Sequence, residues 1–200
     1  MTTAAVTPVP GPVTEEEFLA RYGPDDRVEL VDGEVIPKYG TDGPMSPTSN
    51  AHGRIVMDLI RALDRVVHPG GLGEIFTDPA CFVISETPKR MRCPDVAFVR
   101  AGRIPEEIAL DGIVRLAPDL VAEVISRSEP ASQVDAKIDQ YLEAGVRLVW
   151  KIDPRRRVVT TFHAGGAVTR LAESDVLDGG DVVPGFRLPV AELFARVARR

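Results

Sequence analysis

The sequence predicts a mixed α/β or α+β fold, in which helices pack against a central mixed sheet. Two segments, 50–68 and 130–144, repeat apolar residues at helical spacing. Around them lie several short apolar runs of strand length, of which residues 119–126 are the most continuously apolar. The elements follow one another as helix, hairpin, helix, several strands, helix and strands, which is typical of a sheet flanked by helices.

The N-terminal part carries clear local signals. Residues 1–13 show no periodicity, which predicts a flexible tail. Thr14 and Glu17 form a capping-box pattern, so a short helix is expected over 14–21. Asp32-Gly33 lies between two alternating apolar runs and predicts a hairpin turn, because both turn positions require positive φ.

The remaining elements follow from apolar periodicity and from breaker residues. Asn50 is a good N-cap for the helix that runs to His68, and Gly145 suits the end of the helix over 130–144. A loop is predicted over 40–49 and a short helix from about Val190. Strands are predicted over 74–84, 95–100, 119–126, 147–153 and 157–163. No linker interrupts this pattern, so 14–200 is expected to form a single domain.

Composition narrows the class of protein. The chain has 200 residues, of which 44% are hydrophobic and 27% charged, as in an ordinary globular domain. It has no apolar run of the ~18 residues that a membrane span needs, and no signal-peptide pattern at its start. We therefore expect a soluble, cytoplasmic protein. Cys81 and Cys93 are expected to be reduced thiols, because their number and spacing fit neither a zinc site nor a disulfide framework.

The charge balance limits how the protein can bind nucleic acid. A formal net charge of -6 argues against bulk electrostatic binding, although an enzyme can still contact DNA through a local patch. Only four of the 24 basic residues are lysines, so a lysine beside a candidate site is notable. Lys89, Arg90 and Arg92 form the one basic cluster next to such a site.

Two carboxylates interrupt apolar runs. Glu123 lies within 120–125, where burial of an unpaired carboxylate is costly, so it should be paired, protonated or bound to a metal. Asp95 opens the apolar run 96–99. An Asp and a Glu on neighbouring strands suit Mg²⁺ or Mn²⁺. The alternatives are a core salt bridge or a wet strand face for Glu123, and a bond to its own backbone for Asp95.

Three further polar residues are weaker candidates. Lys137 falls at the edge of the buried stripe of its helix, from which it either reaches towards Glu123 or lies along the surface. Glu29 and Glu34 lie opposite the apolar residues of their strands, so both are expected to face solvent. His52, in the first turn of its helix, is expected to be exposed. The chain has no phosphate-binding glycine loop, no G-x-S-x-G elbow and no Cys/His metal spacing, so nucleophilic serine chemistry and nucleotide binding are unsupported.

Six motifs, taken in order, resemble the Uma-type family of restriction endonucleases within the PD-(D/E)XK nuclease superfamily. The resemblance covers about Thr14 to Phe194. The motifs are ELVDGE from Glu29, SPTSNAHGRIV around His52, PDVAFV from Pro94, PDLVAEVIS from Pro118, KIDQYLEAGVRLVWKIDP from Lys137, and GFRLPVAELF near the end.

The resemblance implies a restriction-endonuclease-like core with an N-terminal helix and β-hairpin. It implies that Asp95 and Glu123 bind Mg²⁺ or Mn²⁺ and that Glu29 completes the metal site. The superfamily lysine usually follows the Glu by two residues, where this chain has Ile125, so the resemblance points to Lys137 on the following helix as the catalytic lysine.

His52 matches a frequent histidine of the family, so the resemblance places it in the catalytic site. Arg127 and Leu148 stand where the family often has proline and glutamate. Neither departure involves a residue to which the resemblance assigns a metal, so an intact site is expected.

The function implied by the resemblance is metal-dependent hydrolysis of phosphodiester bonds in DNA. A homodimer is expected, because two sites related by a twofold axis can cut both strands. Two alternatives stay open. A nuclease-fold protein that binds DNA or a partner protein without cleaving would fit the acidic net charge, and a metal-dependent hydrolase of another substrate would use the same ligands.

Overall fold

The computed structural model describes residues 11–23, 26–38, 50–104, 113–126 and 130–197. Within these ranges the chain forms four helices, α1 (Glu15–Arg21), α2 (Asn50–Val67), α3 (Ala131–Glu143) and α4 (Val190–Leu193). The first seven strands are β1 (Val28–Val31), β2 (Glu34–Pro37), β3 (Gly73–Thr77), β4 (Cys81–Glu86), β5 (Lys89–Arg92), β6 (Val96–Arg100) and β7 (Ile113–Val114). The others are β8 (Leu120–Val124), β9 (Leu148–Asp153), β10 (Val158–His163), β11 (Val168–Leu171), β12 (Val176–Asp178) and β13 (Arg187–Pro189).

The described strands form two sheets and a separate hairpin. The larger sheet has the order β11-β10-β9-β8-β6-β3, and in it only β8 and β9 run parallel. The second sheet has the order β2-β1-β5-β4-β7, with β4 and β7 parallel. Strands β12 and β13 form the hairpin. The chain passes from the second sheet to the larger one between β5 and β6, so residues 93–95 lie at a junction between the two.

Apolar clusters fix the helices on these sheets. Helix α2 packs through Leu59 in the cluster that contains Trp150 of β9. Helix α3 packs through Ile138 in a second cluster on the other face of the six-stranded sheet. Helix α1 packs Phe18 in a third cluster, with Met91 of β5. Alternate residues of β6, β8 and β9 belong to the first and second clusters, which explains why these strands are apolar on both faces.

The predicted mixed α/β fold, with helices flanking a central sheet, is confirmed. The Thr14 side chain caps α1 by accepting from the Glu17 N–H at 3.2 Å. Asp32 and Gly33 form the hairpin turn with φ of 54° and 85°. Val13 departs from the predicted tail, because it is buried and its N–H donates to the Gly33 carbonyl at 2.7 Å. The rest of that tail up to residue 10, and the loop over 40–49, lie outside the described residues.

Two predictions about the middle of the chain need correction. The apolar run over 74–84 forms two strands, β3 and β4, because the chain turns at Asp78 and Pro79. Cys81 and Cys93 are joined by a disulfide and are not reduced thiols. Their separation of 12 residues is bridged because β4 and β5 are antiparallel neighbours, and this register is not visible in the spacing of the two cysteines.

Membrane spans were not expected. Across the described ranges, no helix has both the length and the apolar character that crossing a bilayer requires.

Candidate active site

Most of the buried polar side chains in the described part of the chain lie in one cluster near the junction of the two sheets. Asp119 and Thr161 lie elsewhere. The members of this cluster are Glu29, Lys38, His52, Arg92, Asp95, Glu123 and Lys137. Three carboxylates thus face three basic side chains and a histidine, and this pairing is what makes their burial tolerable.

Asp95 and Glu123 lie side by side on neighbouring segments of the larger sheet. Val96 of β6 pairs with Ala122 of β8 in antiparallel register, so the position before Val96 lies across from the position after Ala122. The Glu123 side chain points towards α3, because it accepts a hydrogen bond from Tyr141 of that helix. The Asp95 carboxylate lies instead against Lys38 and against His52 of α2. The structure therefore brings together the two carboxylates that the sequence singled out.

The Asp95 carboxylate is held in its ionised form. Its Oδ2 accepts from the Val124 N–H on the neighbouring strand at 2.9 Å. Its Oδ1 lies 3.4 Å from His52 Nε2 and 3.5 Å from Lys38 Nζ. Burial by itself would raise the pKa of Asp95, but the hydrogen bond from His52 and the charge of Lys38 outweigh burial and lower the pKa to about 2.

The Glu123 carboxyl has the opposite electrostatic character. Its Oε1 accepts from the Tyr141 hydroxyl at 2.7 Å, which is the only hydrogen bond of this side chain among the described residues. Burial raises the pKa of Glu123 to about 7. The charge of Lys137 lowers it, but the charges of Asp95 and Glu29 raise it further. Glu123 is therefore poorly compensated as an anion, and a cation beside it would favour the ionised form.

Glu29 is fully buried, so the prediction that it faces solvent is wrong. Its Oε2 lies 2.6 Å from Arg92 Nη1 and 3.7 Å from Lys137 Nζ, and its Oε1 accepts from the Cys93 N–H at 3.0 Å. These groups from β5 and α3 cover the face of β1 that the alternation of apolar residues predicted to be exposed to solvent. Burial raises the pKa of Glu29, but the charges of Lys137 and Arg92 lower it below its ordinary value. Glu34, in contrast, is exposed as expected.

Lys137 and His52 are both buried within this cluster. Lys137 lies on α3 one turn before Tyr141, so both side chains point to the sheet. The Lys137 Nζ lies within ion-pair distance of Glu29. The charge of Lys137 also lowers the pKa of Glu123. His52 was expected to be exposed, and the structure buries it against Asp95. Burial lowers the pKa of His52, but its hydrogen bond with Asp95 outweighs burial and raises it.

Lys38 is the site residue that sequence reasoning missed. It directly follows strand β2, is 2% exposed, and donates to Asp78 Oδ1 at 2.8 Å. One signal was available, because Lys38 is one of only four lysines and directly follows an apolar strand.

The basic residues expected to form a cluster beside the site are already paired with other side chains of the protein. Lys89 Nζ lies 2.6 Å from Glu15, and Arg90 Nε donates to Asp32 at 2.8 Å. Arg92 is buried, pairs with Glu29 and donates through Nε to Gln140 Oε1 at 3.0 Å. The three residues therefore do not form a free cationic patch.

The carboxylates present fit a divalent cation. Asp95 and Glu123 offer hard oxygen ligands, and at Glu123 burial and the neighbouring carboxylates outweigh the favourable charge of Lys137. No three His, Cys, Asp or Glu residues of the described ranges are grouped closely enough to hold a metal ion. The protein would thus supply two carboxylates, and water and a phosphate group would complete the coordination, as is usual for Mg²⁺.

The fold and this site define an α/β protein with a buried acidic and basic centre beneath a helix. Residues 15–191 match the family described as "Uma2: Putative restriction endonuclease", so the chain belongs to this family and the resemblance is confirmed. A solved structure from Anabaena variabilis ATCC 29413, described as a "putative nuclease belonging to DUF820", is similar with a TM-score of 0.78. It is 21% identical, and the match covers 92% of this chain and 98% of that chain, which establishes likeness of fold. No curated protein matches the chain.

Proposed function

We propose that the protein is a metal-dependent endonuclease that hydrolyses phosphodiester bonds in DNA. The observation that carries the proposal is the pair of buried carboxylates, Asp95 and Glu123, which lie side by side among basic groups. Membership of a family described as "Putative restriction endonuclease" supports it, as does the likeness of fold to a solved protein described as a "putative nuclease".

Asp95 and Glu123 would hold Mg²⁺ or Mn²⁺. A divalent cation at this position supplies Lewis acidity towards the phosphate and lowers the pKa of a bound water. The ionised Asp95 carboxylate offers negative charge at any pH above its lowered pKa. Glu123 gains most from the cation, because burial and the charges of Asp95 and Glu29 outweigh the favourable charge of Lys137.

Lys137 is the proposed catalytic lysine. Its buried ammonium group is fixed by α3 and lies 3.7 Å from the Glu29 carboxylate. A preorganised cation in a site of this kind stabilises the negative charge that develops on a phosphate during hydrolysis, or orients the attacking water. His52 donates towards Asp95 and is proposed to orient that carboxylate.

Glu29 is proposed to position basic groups. Its carboxylate is already paired with Arg92 and bonded to the Cys93 N–H, so the metal-binding role implied by the resemblance would require breaking that pair. Glu29→Gln should therefore retain Mn²⁺ binding within about threefold, whereas Glu123→Gln should weaken it at least about tenfold. Titration calorimetry with Mn²⁺ on both variants measures this difference.

The decisive experiment is incubation of the purified protein with supercoiled plasmid DNA. Nicking or linearisation should occur with Mg²⁺ or Mn²⁺, should stop with EDTA, and should be lost in Asp95→Ala. Cleavage by Asp95→Ala at the rate of the parent protein would refute the proposed site. Sedimentation at micromolar concentration tests the proposed homodimer, and a monomer there would contradict it.

A second candidate function is binding to DNA or to a partner protein without cleavage. The net charge of -6 and the lack of a three-residue ligand group among the described residues favour it. It predicts Mn²⁺ or DNA binding with no cleavage of any DNA form.

A further inference from the structure

A cavity of about 400 Å³ lies beside the candidate active site, between α1 and the five-stranded sheet. Most of its wall is apolar and comes from Phe18, Leu19, Tyr22, Val28, Met91 and Ile113. Lys38 and Asp78 contribute a polar part of the wall, together with Arg27. The cavity therefore combines apolar and aromatic walls with a charged region.

Lys38 connects this cavity to the carboxylates of the site. It lines the cavity, is 2% exposed, and its Nζ lies 2.8 Å from Asp78 Oδ1. The same Nζ lies 3.5 Å from Asp95 Oδ1. A phosphate beside Asp95 and a ligand inside the cavity would thus lie on either side of the Lys38 side chain.

The walls suit a flat ring with a hydrogen-bonding edge. The rings of Phe18 and Tyr22 pack against each other with centroids 5.3 Å apart, and both form part of the wall. Asp78 binds Lys38 through Oδ1, and its side chain is 29% exposed, so Oδ2 is able to accept from an amino group. Nucleobases have this chemistry, since they offer π faces for stacking and amino edges for a carboxylate.

We propose that the cavity binds one base of the DNA strand that is cut, turned out of the base stack, with its phosphate near Lys38 and Asp95. A base with an exocyclic amino group is favoured over thymine, because Asp78 can only accept and thymine offers it the ring N3–H alone. The inference rests on the proposed nuclease function and adds a subsite that positions the substrate. Enzymes that need access to an atom inside a duplex use the same kind of base extrusion.

The test is fluorescence of 2-aminopurine, a base analogue with an amino group, placed at successive positions of a short DNA duplex. The protein is added with Ca²⁺ in place of Mg²⁺, so that binding is read without turnover. The emission should change strongly at one position and little at its neighbours.

Two variants test whether this signal comes from the cavity. Leu19→Trp fills it from a residue that is 41% exposed and should fold normally. Tyr22→Ala removes an aromatic wall. Both should suppress the local emission change and weaken duplex binding by about tenfold. Val168→Trp, on a strand residue that is 60% exposed and outside the cavity lining, is the control and should behave as the parent protein.

The outcomes separate this inference from the proposed function. Plasmid cleavage with an unchanged emission at every position, or with Leu19→Trp indistinguishable from the control, overturns the base-binding subsite and leaves the nuclease standing. A position-specific signal without any plasmid cleavage supports the subsite and refutes the nuclease. A protein that binds no DNA refutes both.

Discussion

Asp95 and Glu123 show how one site gives two neighbouring carboxyls opposite electrostatic properties. Asp95 faces His52 and Lys38, whereas the one hydrogen bond that the Glu123 side chain accepts within the described ranges comes from the neutral Tyr141 hydroxyl. The first carboxyl is an anion at all ordinary pH values, and the second titrates near neutrality. Such divergence of pKa values is typical of functional sites.

This divergence predicts how the stability of the metal-free protein depends on pH. The pKa of Glu123 is raised to about 7, so its contribution to stability is complete below its ordinary value of 4.5 and is lost as the pH rises through 7. Asp95 acts in the opposite sense, since its pKa is lowered to about 2 and its contribution is lost only as the pH falls below 3.8. Urea unfolding in EDTA should therefore show a loss of up to about 3 kcal/mol between about pH 5 and pH 8.

The Glu123→Gln variant is the control for this pH dependence. It should flatten most of the slope, because the amide does not ionise. The raised pKa of His52 acts in the same direction and accounts for the slope that remains. Equal pH dependence in the parent and in Glu123→Gln would contradict the assignment.

A second prediction at this scale concerns Lys137. Lys137→Met removes the buried ammonium group and should reduce plasmid cleavage by about 10²–10³-fold, with the circular dichroism spectrum unchanged. Lys89→Met, which removes an ion-paired lysine outside the site, should change the rate less than about threefold. Equal rates for the two variants would exclude Lys137 from catalysis.

At the scale of elements, β5 connects the five-stranded sheet to the site. It pairs with β1 and β4, and its last residue, Arg92, ion-pairs with Glu29 of β1 and donates to Gln140 of α3. A single buried guanidinium therefore links two strands and a helix. This link adds a polar contact to the apolar packing that holds α3, the helix of Lys137, on the sheet.

Removal of one partner of the buried pair should be costlier than removal of both. Arg92→Met leaves the Glu29 carboxylate with less compensation and should lower the free energy of unfolding by about 3–5 kcal/mol. The double variant Arg92→Met with Glu29→Gln should recover part of this loss. Denaturant unfolding of the two single variants and the double variant completes the cycle. Strict additivity would show that the two side chains do not interact.

The β1–β2 turn offers a test of backbone conformation. Gly33 has a φ of 85°, and a Cβ there would lie 2.7 Å from the Pro12 Cβ. Gly33→Ala should destabilise the protein by about 1–3 kcal/mol. Gly53→Ala, in helix α2 with no atom within 4 Å of the added Cβ, should instead be neutral or stabilising by up to about 1 kcal/mol. Thermal unfolding of both variants gives the two signs, and a shared sign would be inconsistent with this explanation.

Local sequence patterns predicted most of the helices and strands. Apolar periodicity shows which face of a segment is buried, and capping residues show where a helix begins or ends. They could not report what covers the other side. Glu29 and His52 were predicted to be exposed for this reason, although groups from β5, α3 and the sheet junction bury them. The β5 segment KRMR has no strand pattern, since its residues are fixed by ion pairs and by pairing with β4. Lys38 and the disulfide depend on which strands become neighbours, which is a property of topology.

At the scale of the whole molecule, the distribution of charge disfavours binding of nucleic acid through many phosphate contacts. The net charge is -6, and the side chains of Lys89 and Arg90 already bind carboxylates. Positive charge near the site is buried in Lys38, Arg92 and Lys137. Contact with DNA would then involve few phosphates.

The salt dependence of DNA binding measures that number. A plot of the logarithm of affinity against the logarithm of salt concentration should have a slope no steeper than about -3, because few counterions are released. Fluorescence anisotropy of a labelled duplex over a range of KCl concentrations, in Ca²⁺, gives the slope. A value near about -8 would reveal an extensive cationic surface and contradict this interpretation.

The passage of the chain between the two sheets has a consequence for how the family can vary. Between Met91 and Val96, successive residues have different partners: Arg92 pairs with Glu29, and Asp95 lies against His52 and Lys38. One inserted residue would therefore move Asp95 out of register with its partners. Substitution in this segment alters one contact, whereas a change of its length alters all of them. Insertions and deletions in related chains should therefore be absent from 91–96 and should accumulate in surface turns such as 154–157.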